Sequence, residues 1–370
     1  MANKRTYWAI EAIGTAAHGA GVGTTPNLDN FYFVPGVQSV GMTTNFNLDQ
    51  IFQLGQLEIY QDLEDIPDVE LSVEKVLDDT TLMYTRCVCN AANTAPAAYT
   101  GQFGGQKDLT TIQNNRVDVA FVVNADTDAA VGDDTGDIAA YMSGMYLSSV
   151  NFNFAADGYF TESVSLVGNH QYWFVPGAEL KNSPQDVAPQ ALQSGDVLRR
   201  HNFSFDAIGD VPEPLKTLGG TVDDLRIASI SVATDFGREE MFALGNREPY
   251  HRYVTFPVEV TCDIEAYVTD AVDMGVDALP NARNVSSNNT IKFDIFDASS
   301  GGILSGPGVN PNHNFDLGDK NTLSSVTWNG LSTDGTNATV TYSYRNFNKL
   351  SVASIAGGAI IPPNPDGTLD

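Results

Sequence analysis

The sequence predicts a mainly β protein made of two tandem copies of one domain, each with a short flanking α-helix. Three observations lead there. Short patterns in the first half recur in the same order in the second. Hydrophobic residues alternate with period two through the repeated parts, as half-buried strands require. Asp-Gly and Asn-Gly pairs, which suit tight hairpin turns, separate the alternating runs.

The repeat opens where Trp8-Ala9-Ile10-Glu11-Ala12-Ile13-Gly14 answers Phe203-Ser204-Phe205-Asp206-Ala207-Ile208-Gly209, a spacing of 195. Val40, Met42, Thr44 and Phe46 then answer Ile230, Val232, Thr234 and Phe236 at 190, with one apolar face in each predicted strand. A helix is predicted next. Asn47 is placed to cap it, Leu48, Ile51 and Phe52 form its apolar stripe, and Gly55 ends it; Gly237, Glu240, Met241, Phe242 and Gly245 take those roles in the second copy.

The returning strand is written most plainly. Val69, Leu71 and Val73 oppose Glu70, Ser72 and Glu74, and at a spacing of 189 Val258, Val260 and Cys262 oppose Glu259, Thr261 and Asp263. An acidic row therefore lies on one face in both copies. Val150, Phe152 and Phe154 lead through Asp157-Gly158 to Val164 and Leu166, a hairpin. At a spacing of 176 this becomes Val326 and Trp328, then Asn329-Gly330 or Asp334-Gly335, then Val340 and Tyr342. Further strands are expected near 117 to 124 and 290 to 297. The domains run 1–169, with insertions at 78–116 and 125–140, and 201–370, ending in a mobile tail. A connector, 170–200, joins them.

Composition narrows the function. Hydrophobic residues at 42% and aromatics at 10% indicate an ordinary globular chain. Against 46 acidic residues stand 19 basic ones, a net charge of -27. Such a surface repels nucleic acid, because affinity for it comes mainly from Lys and Arg neutralising phosphates; Arg199-Arg200-His201 is too small a cluster to reverse this. A solvated acidic surface also serves solubility alone. Met1 to Arg5 is followed by Tyr7, Trp8 and Glu11 rather than an apolar run, so no secretory signal is expected, and no stretch approaches a membrane span. Cys87, Cys89 and Cys262 make neither a disulfide framework nor a metal pattern, which suits synthesis in a reducing cytoplasm.

Chemistry is sparse. The loop Gly19-Ala20-Gly21-Val22-Gly23-Thr24-Thr25 lacks the lysine of a phosphate loop and the spacing of a dinucleotide fingerprint. Asn124 to Asp128 and Asp133 to Asp137 offer oxygen ligands, but the sixth and twelfth positions of a calcium loop carry Ala129 and Thr135. His18, His170, His201, His251 and His313 are scattered without zinc spacing, and no nucleophile elbow appears. No catalytic residue, cofactor or metal is expected; the chain reads as a structural protein rather than an enzyme.

The Phe-x-Leu-Gly end of the first repeat block, Pro67-Asp68-Val69-Glu70-Leu71-Ser72-Val73-Glu74-Lys75 and Phe236-Gly237-Arg238-Glu239-Glu240-Met241-Phe242 carry a resemblance. Over 7 to 168 and 202 to 350 the chain resembles the tail tube proteins of long-tailed bacteriophages. That resemblance implies a β-barrel or sandwich with a flanking helix in each copy, and stacked rings of pseudo-six-fold symmetry from three two-domain chains. It implies a virion-tail location after synthesis in the host cytoplasm, and no membrane. The partners implied are other copies of the chain, a tail sheath if the tail contracts, a tape measure protein, and transiting double-stranded DNA that is not bound specifically. Glu70, Glu74, Glu259 and Asp263 are then expected to line the lumen, and 15–37, 78–116 and 299–319 to make ring-to-ring contacts. A receptor- or carbohydrate-binding β-sandwich, favoured by Tyr172-Trp173-Phe174, is the alternative, as is a tail terminator or baseplate hub of related fold.

Overall fold

The computed structural model describes residues 12–18, 28, 31–55, 59–88, 109, 115–123, 138–175, 196–205, 207–216, 225–246, 249–267, 289–296, 312–330 and 338–354. The strands of the first half are β1 (Ala12–Ala17), β2 (Tyr32–Phe33), β3 (Val37–Asn45), β4 (Leu48–Phe52), β5 (Ile59–Glu64) and β6 (Asp68–Val76). After helix α1 (Met83–Val88) come β7 (Val117–Val123), β8 (Ile138–Ala155), β9 (Thr161–Gly168) and β10 (His170–Phe174). The second half opens with β11 (Phe203–Ser204), β12 (Ile227–Asp235), β13 (Arg238–Met241), β14 (His251–Val254) and β15 (Glu259–Tyr267). It closes with β16 (Lys292–Ile295), β17 (His313–Asp316), β18 (Thr322–Asn329), β19 (Thr339–Phe347) and β20 (Ser351–Ser354).

The protein is mainly β, as expected, and open rather than barrel-shaped. Its main row of antiparallel neighbours runs β3-β6-β9-β8-β12-β15-β19-β18. Two further sets of strands flank it. One is β2-β1-β7, continued by the first part of the long strand β8 and by β10; the other is β11-β16-β17-β20. Period two separates the faces of the row: Val69, Leu71, Val73, Val260, Cys262 and Ile264 are buried, whereas Glu70, Ser72, Glu74, Glu259, Thr261 and Asp263 are exposed.

The buried face packs into a core shared by both halves. Phe152 and Phe154 of β8 meet Phe315 of β17 at ring-centroid distances of 5.0 and 5.1 Å, and Phe154 meets Phe293 of β16 at 5.1 Å. Edge-to-face pairs of this kind add about 0.5–1.5 kcal/mol each to the burial itself. Cys262 fills core space in this layer. Behind it, buried Lys75 pairs with Asp78 at 2.6 Å, and buried Glu162 accepts hydrogen bonds from the backbone N–H groups of Met83 and Tyr84, satisfying two donors at the start of α1. Burial raises the Glu162 pKa, opposed by the Lys75 charge and those two donors.

The same neighbour order occurs in both halves, β3-β6-β9-β8 and β12-β15-β19-β18, and the irregularities coincide. Bulges fall between Val37/Ser39 and Ile227/Ser229, and between Leu147/Ser149 and Leu323/Ser325. Ser39 donates to Glu74 as Ser229 donates to Glu265, each at 3.1 Å. Strands also occur at 117–123 and 292–295, where two were expected.

Several expectations are corrected. No helix forms at Asn47–Gly55 or Gly237–Gly245. These segments are β-hairpins, β4–β5 and β13–β14, whose registers match residue for residue at a spacing of 190. Among the described residues α1 is the one α-helix, and it lies in the 78–116 insertion with Met83 to Cys87 buried, so residues 83–87 belong to the core. The end of the 299–319 loop is likewise strand β17, and the 170–200 connector begins as β10, paired with β8. Two spacings shift as well. Through the register with β3 and β12, Val73 corresponds to Ile264 and Glu74 to Glu265, so the returning strands match at 191, not 189. Val164 corresponds to Tyr342 rather than Val340, because β8–β9 and β18–β19 differ in turn length. The loops 19–25 and 124–137, the middle of the first insertion, 299–311 and the tail after 357 lie outside the described residues.

Candidate assembly surface

The exposed face of the main row is hydroxyl-rich and acidic. Across neighbouring strands it presents Thr43 and Asn45, then Asp68, Glu70, Ser72 and Glu74, then Ser163 and Ser165, then Asn151 and Asn153. Beyond the midpoint follow Ser231 and Asp235, then Glu259, Thr261, Asp263 and Glu265, then Ser343 and Arg345, then Thr327 and Asn329. Glu70, Glu74, Glu259 and Asp263 are exposed on one side of one continuous sheet. The facing cation on these strands is Arg345.

At the middle of the row the halves meet along a ladder between β8 and β12, with Phe154 opposite Ile230, Phe152 opposite Val232, Asn151 opposite Ala233 and Val150 opposite Thr234. The core-side residues of this seam are sealed; Phe152 and Val232 are both 0% exposed. The two ends of the row are β3 and β18, each paired on one side only among the described residues. β3 occupies in the first half the place of β12, and β18 in the second half the place of β8. Transferring the seam register by those equivalences puts Met42 at the step of Val232, and Trp328 at the step of Phe152. At the ends these residues are uncovered: Met42 is half-buried and Trp328 is 40% exposed.

The second hairpin clamps the seam. Arg238 of β13 donates to the Leu147 carbonyl, lies 4.9 Å over the Tyr146 ring and donates to the Arg252 carbonyl. Burial pushes its pKa down to about 10. Arg252 of β14 is buried, ion-pairs with Asp68 at 2.7 Å and with Glu240, and donates to Asn169. Partial burial works against the Asp68 charge, but hydrogen bonds from Asn47 and Arg252 outweigh it and hold this carboxyl below its ordinary value. Glu240 moves the other way, raised chiefly by burial against the Arg252 attraction. The Arg252–Asp68 contact spans 184 positions and joins the halves. No local pattern signals it, and the sequence reading missed it; the strands through Val40–Phe46 and Val326–Trp328 were expected, but not their place at the two ends of the row.

Other candidates have simpler surroundings. Tyr172 and Trp173 are partly exposed on β10, with Trp173 edge-on to Phe121 and Tyr172 stacked on Phe174. Among the described residues no group of His, Cys, Asp and Glu could hold a metal ion, and no helix is long and apolar enough to cross a membrane. The chain matches no protein-family model, and a search of curated proteins returns no match.

Proposed function

We propose that this chain is the wall subunit of a hollow tube, a major tail tube protein of a long-tailed bacteriophage. In this reading two tandem copies of one domain lie side by side, and three chains close into a pseudo-six-fold ring that stacks into a channel for DNA. The observation that carries it is the seam. One β8–β12 junction already exists inside the chain, and the strands equivalent to its two sides, β18 and β3, stand at opposite ends of the same row, each paired on one side only among the described residues.

A head-to-tail contact repeating that junction is heterologous, and such contacts close into rings when the rotation allows. It also removes the sheet edges, ordinarily an association hazard. Three chains of eight row strands, at about 4.8 Å per strand and a tilt of about 40°, give a perimeter of roughly 115–150 Å and a bore about 35–50 Å between backbones. That bore admits double-stranded DNA. On the lumen side Glu70, Glu74, Glu259 and Asp263 repel phosphates, while Ser, Thr and Asn between them stay wetted, so DNA passes without adhering. A tape measure protein and, if the tail contracts, a sheath are the further partners of this reading.

Native mass spectrometry with electron microscopy of the purified chain tests it. Three-chain rings or tubes are expected, with the four carboxylates inside; isolated monomers at all concentrations, or carboxylates on the outer surface, overturn it. Exposed Tyr172 and Trp173 favour a second reading, a ligand-binding virion β-sandwich, for which a monomer that binds glycans is the expected outcome.

A further inference from the structure

The compact basic cluster Arg199-Arg200-His201 has a defined place in the fold. It lies on the 3-10 turn Arg200–Asn202 and the residue before it, with all three side chains exposed. The turn is held from within. Asn202 is buried, and its Oδ1 accepts from the Arg199 N–H at 2.8 Å; Leu198 is buried and donates to the Leu77 carbonyl. At Arg200 the seam between β8 and β12 runs out. There Phe154, Phe160, Phe203, Ile227 and Ala228 line an apolar cleft of about 70 Å³ that Arg200 borders. Phe203, Ile227 and Ala228 are only half-buried, so the cleft opens to solvent beside the cations.

The hairpins stand at the other end of the same strands. In the β8–β12 ladder the cleft is at the Ala155–Ser229 step, and β13–β14 departs beyond the Ser149–Asp235 step, six residues or about 20 Å away. β4–β5 departs at that end too, because it joins the end of β3 to the start of β6, and the registers through β6 and β9 carry Thr43 across to Tyr146. The tips are apolar in both copies: Phe52, Leu54 and Tyr60 match Phe242, Leu244 and Tyr250 at a spacing of 190, and all six are exposed. Charge separates the two hairpins. From 48 to 65 there are five carboxylates and no Lys, Arg or His, whereas 238 to 255 holds three Glu and three Arg.

A side-by-side neighbour within the ring shares the register of the row, so its hairpins fall at the hairpin end and cannot reach the cleft. A chain of the adjoining ring, stacked in the same orientation, brings its hairpin end against the cleft end. We propose that the β4–β5 hairpin of one chain seats on the cleft of a chain in the adjoining ring, with Leu54 entering the cleft and the hairpin carboxylates facing Arg199 and Arg200. An apolar anchor in a pocket supplies the affinity of such a contact, and the opposed charges at its rim supply the choice of partner. That choice favours β4–β5 over β13–β14. The contact joins unlike surfaces and does not close, so successive rings face the same way in an open column.

The proposal rests on the ring reading above, and the experiment separates the two. Leu54→Cys combined with Ala228→Cys, oxidised after assembly, is expected to give a ladder of linked chains running beyond three on a non-reducing gel. Leu244→Cys combined with Ala228→Cys is expected to stay mostly unlinked. Arg199→Ser with Arg200→Ser, and separately Leu54→Ser, are expected to leave rings intact and to raise the concentration at which half of them stack roughly tenfold, read by electron microscopy and light scattering. Salt should weaken the stacking of unaltered rings more than that of the arginine variant. Rings that stack undiminished in both variants, a ladder formed through 244 and not through 54, or rings that never stack overturn the cleft seat while leaving the ring. An unaltered chain that forms no rings overturns both.

Discussion

Cysteines placed across the proposed chain-to-chain junction measure its register directly. The internal seam sets Asn151 opposite Ala233, and the equivalent step between chains sets Thr327 opposite Thr43, all on the polar face. Directly opposed Cβ atoms lie about 4.5–5.5 Å apart, close enough to reach disulfide geometry with slight adjustment, whereas a slip of two residues moves them to about 7–8 Å. A slip of one residue puts them on opposite faces. The Thr43→Cys, Thr327→Cys variant is therefore expected to give a covalent three-chain species on a non-reducing gel. Pairing Thr43→Cys with Ser325→Cys or Asn329→Cys is expected to give little. Asn151→Cys with Ala233→Cys is the internal reference. It should oxidise within one chain and, by closing the loop from 151 to 233, stabilise it by about 4 kcal/mol. If the reference pair oxidises while the 43–327 pair does not, or a shifted pair does better, the transfer of the seam register to the ends is wrong.

Two further outcomes follow from the structure. His313 is fully buried, donating through Nε2–H to the Asp78 carbonyl at 2.7 Å, and burial pushes its pKa down to about 4. The unfolded value is about 6.5, so this histidine's contribution is fully present above that pH and is lost as pH falls toward 4, at most about 3 kcal/mol. Urea unfolding across pH 4 to 7 should show this slope, and His313→Asn should flatten it; an unchanged slope refutes the assignment. Replacing Glu70, Glu74, Glu259 and Asp263 together by Lys should turn assembled tubes from DNA-indifferent to DNA-binding, with an affinity that falls steeply with salt. Filter binding checks this, and indifference in the charge-reversed tube would place these side chains away from the lumen.

The inner strands of the main row were legible because one face of each is buried, so Val69, Leu71 and Val73 alternate against carboxylates and serines. The same period-two regularity hid their alignment. A slip of two residues preserves every buried and every exposed position, so 189 and 191 look alike until the neighbouring strand supplies the register. The first hairpin failed for the opposite reason. Neither face of β4 is buried within the chain, so alternation is absent, and Leu48, Ile51 and Phe52 fall on a helical stripe by composition alone. The acidic face was readable from Glu70 and Glu74. Its continuation across β12 and the Arg252–Asp68 clamp were not, since both depend on strands from opposite halves meeting.

In the proposed ring, the free outer edges of β3 and β18 would also govern how growth stops. An arc of one, two or more chains still offers one donor-and-acceptor fringe of each kind, so partial arcs are as reactive as the starting molecule. Only the cycle with no remaining fringe is inert. Termination is then a matter of curvature, with no capping factor needed, and a change that flattens the sheet would convert a finite closed object into an open-ended polymer.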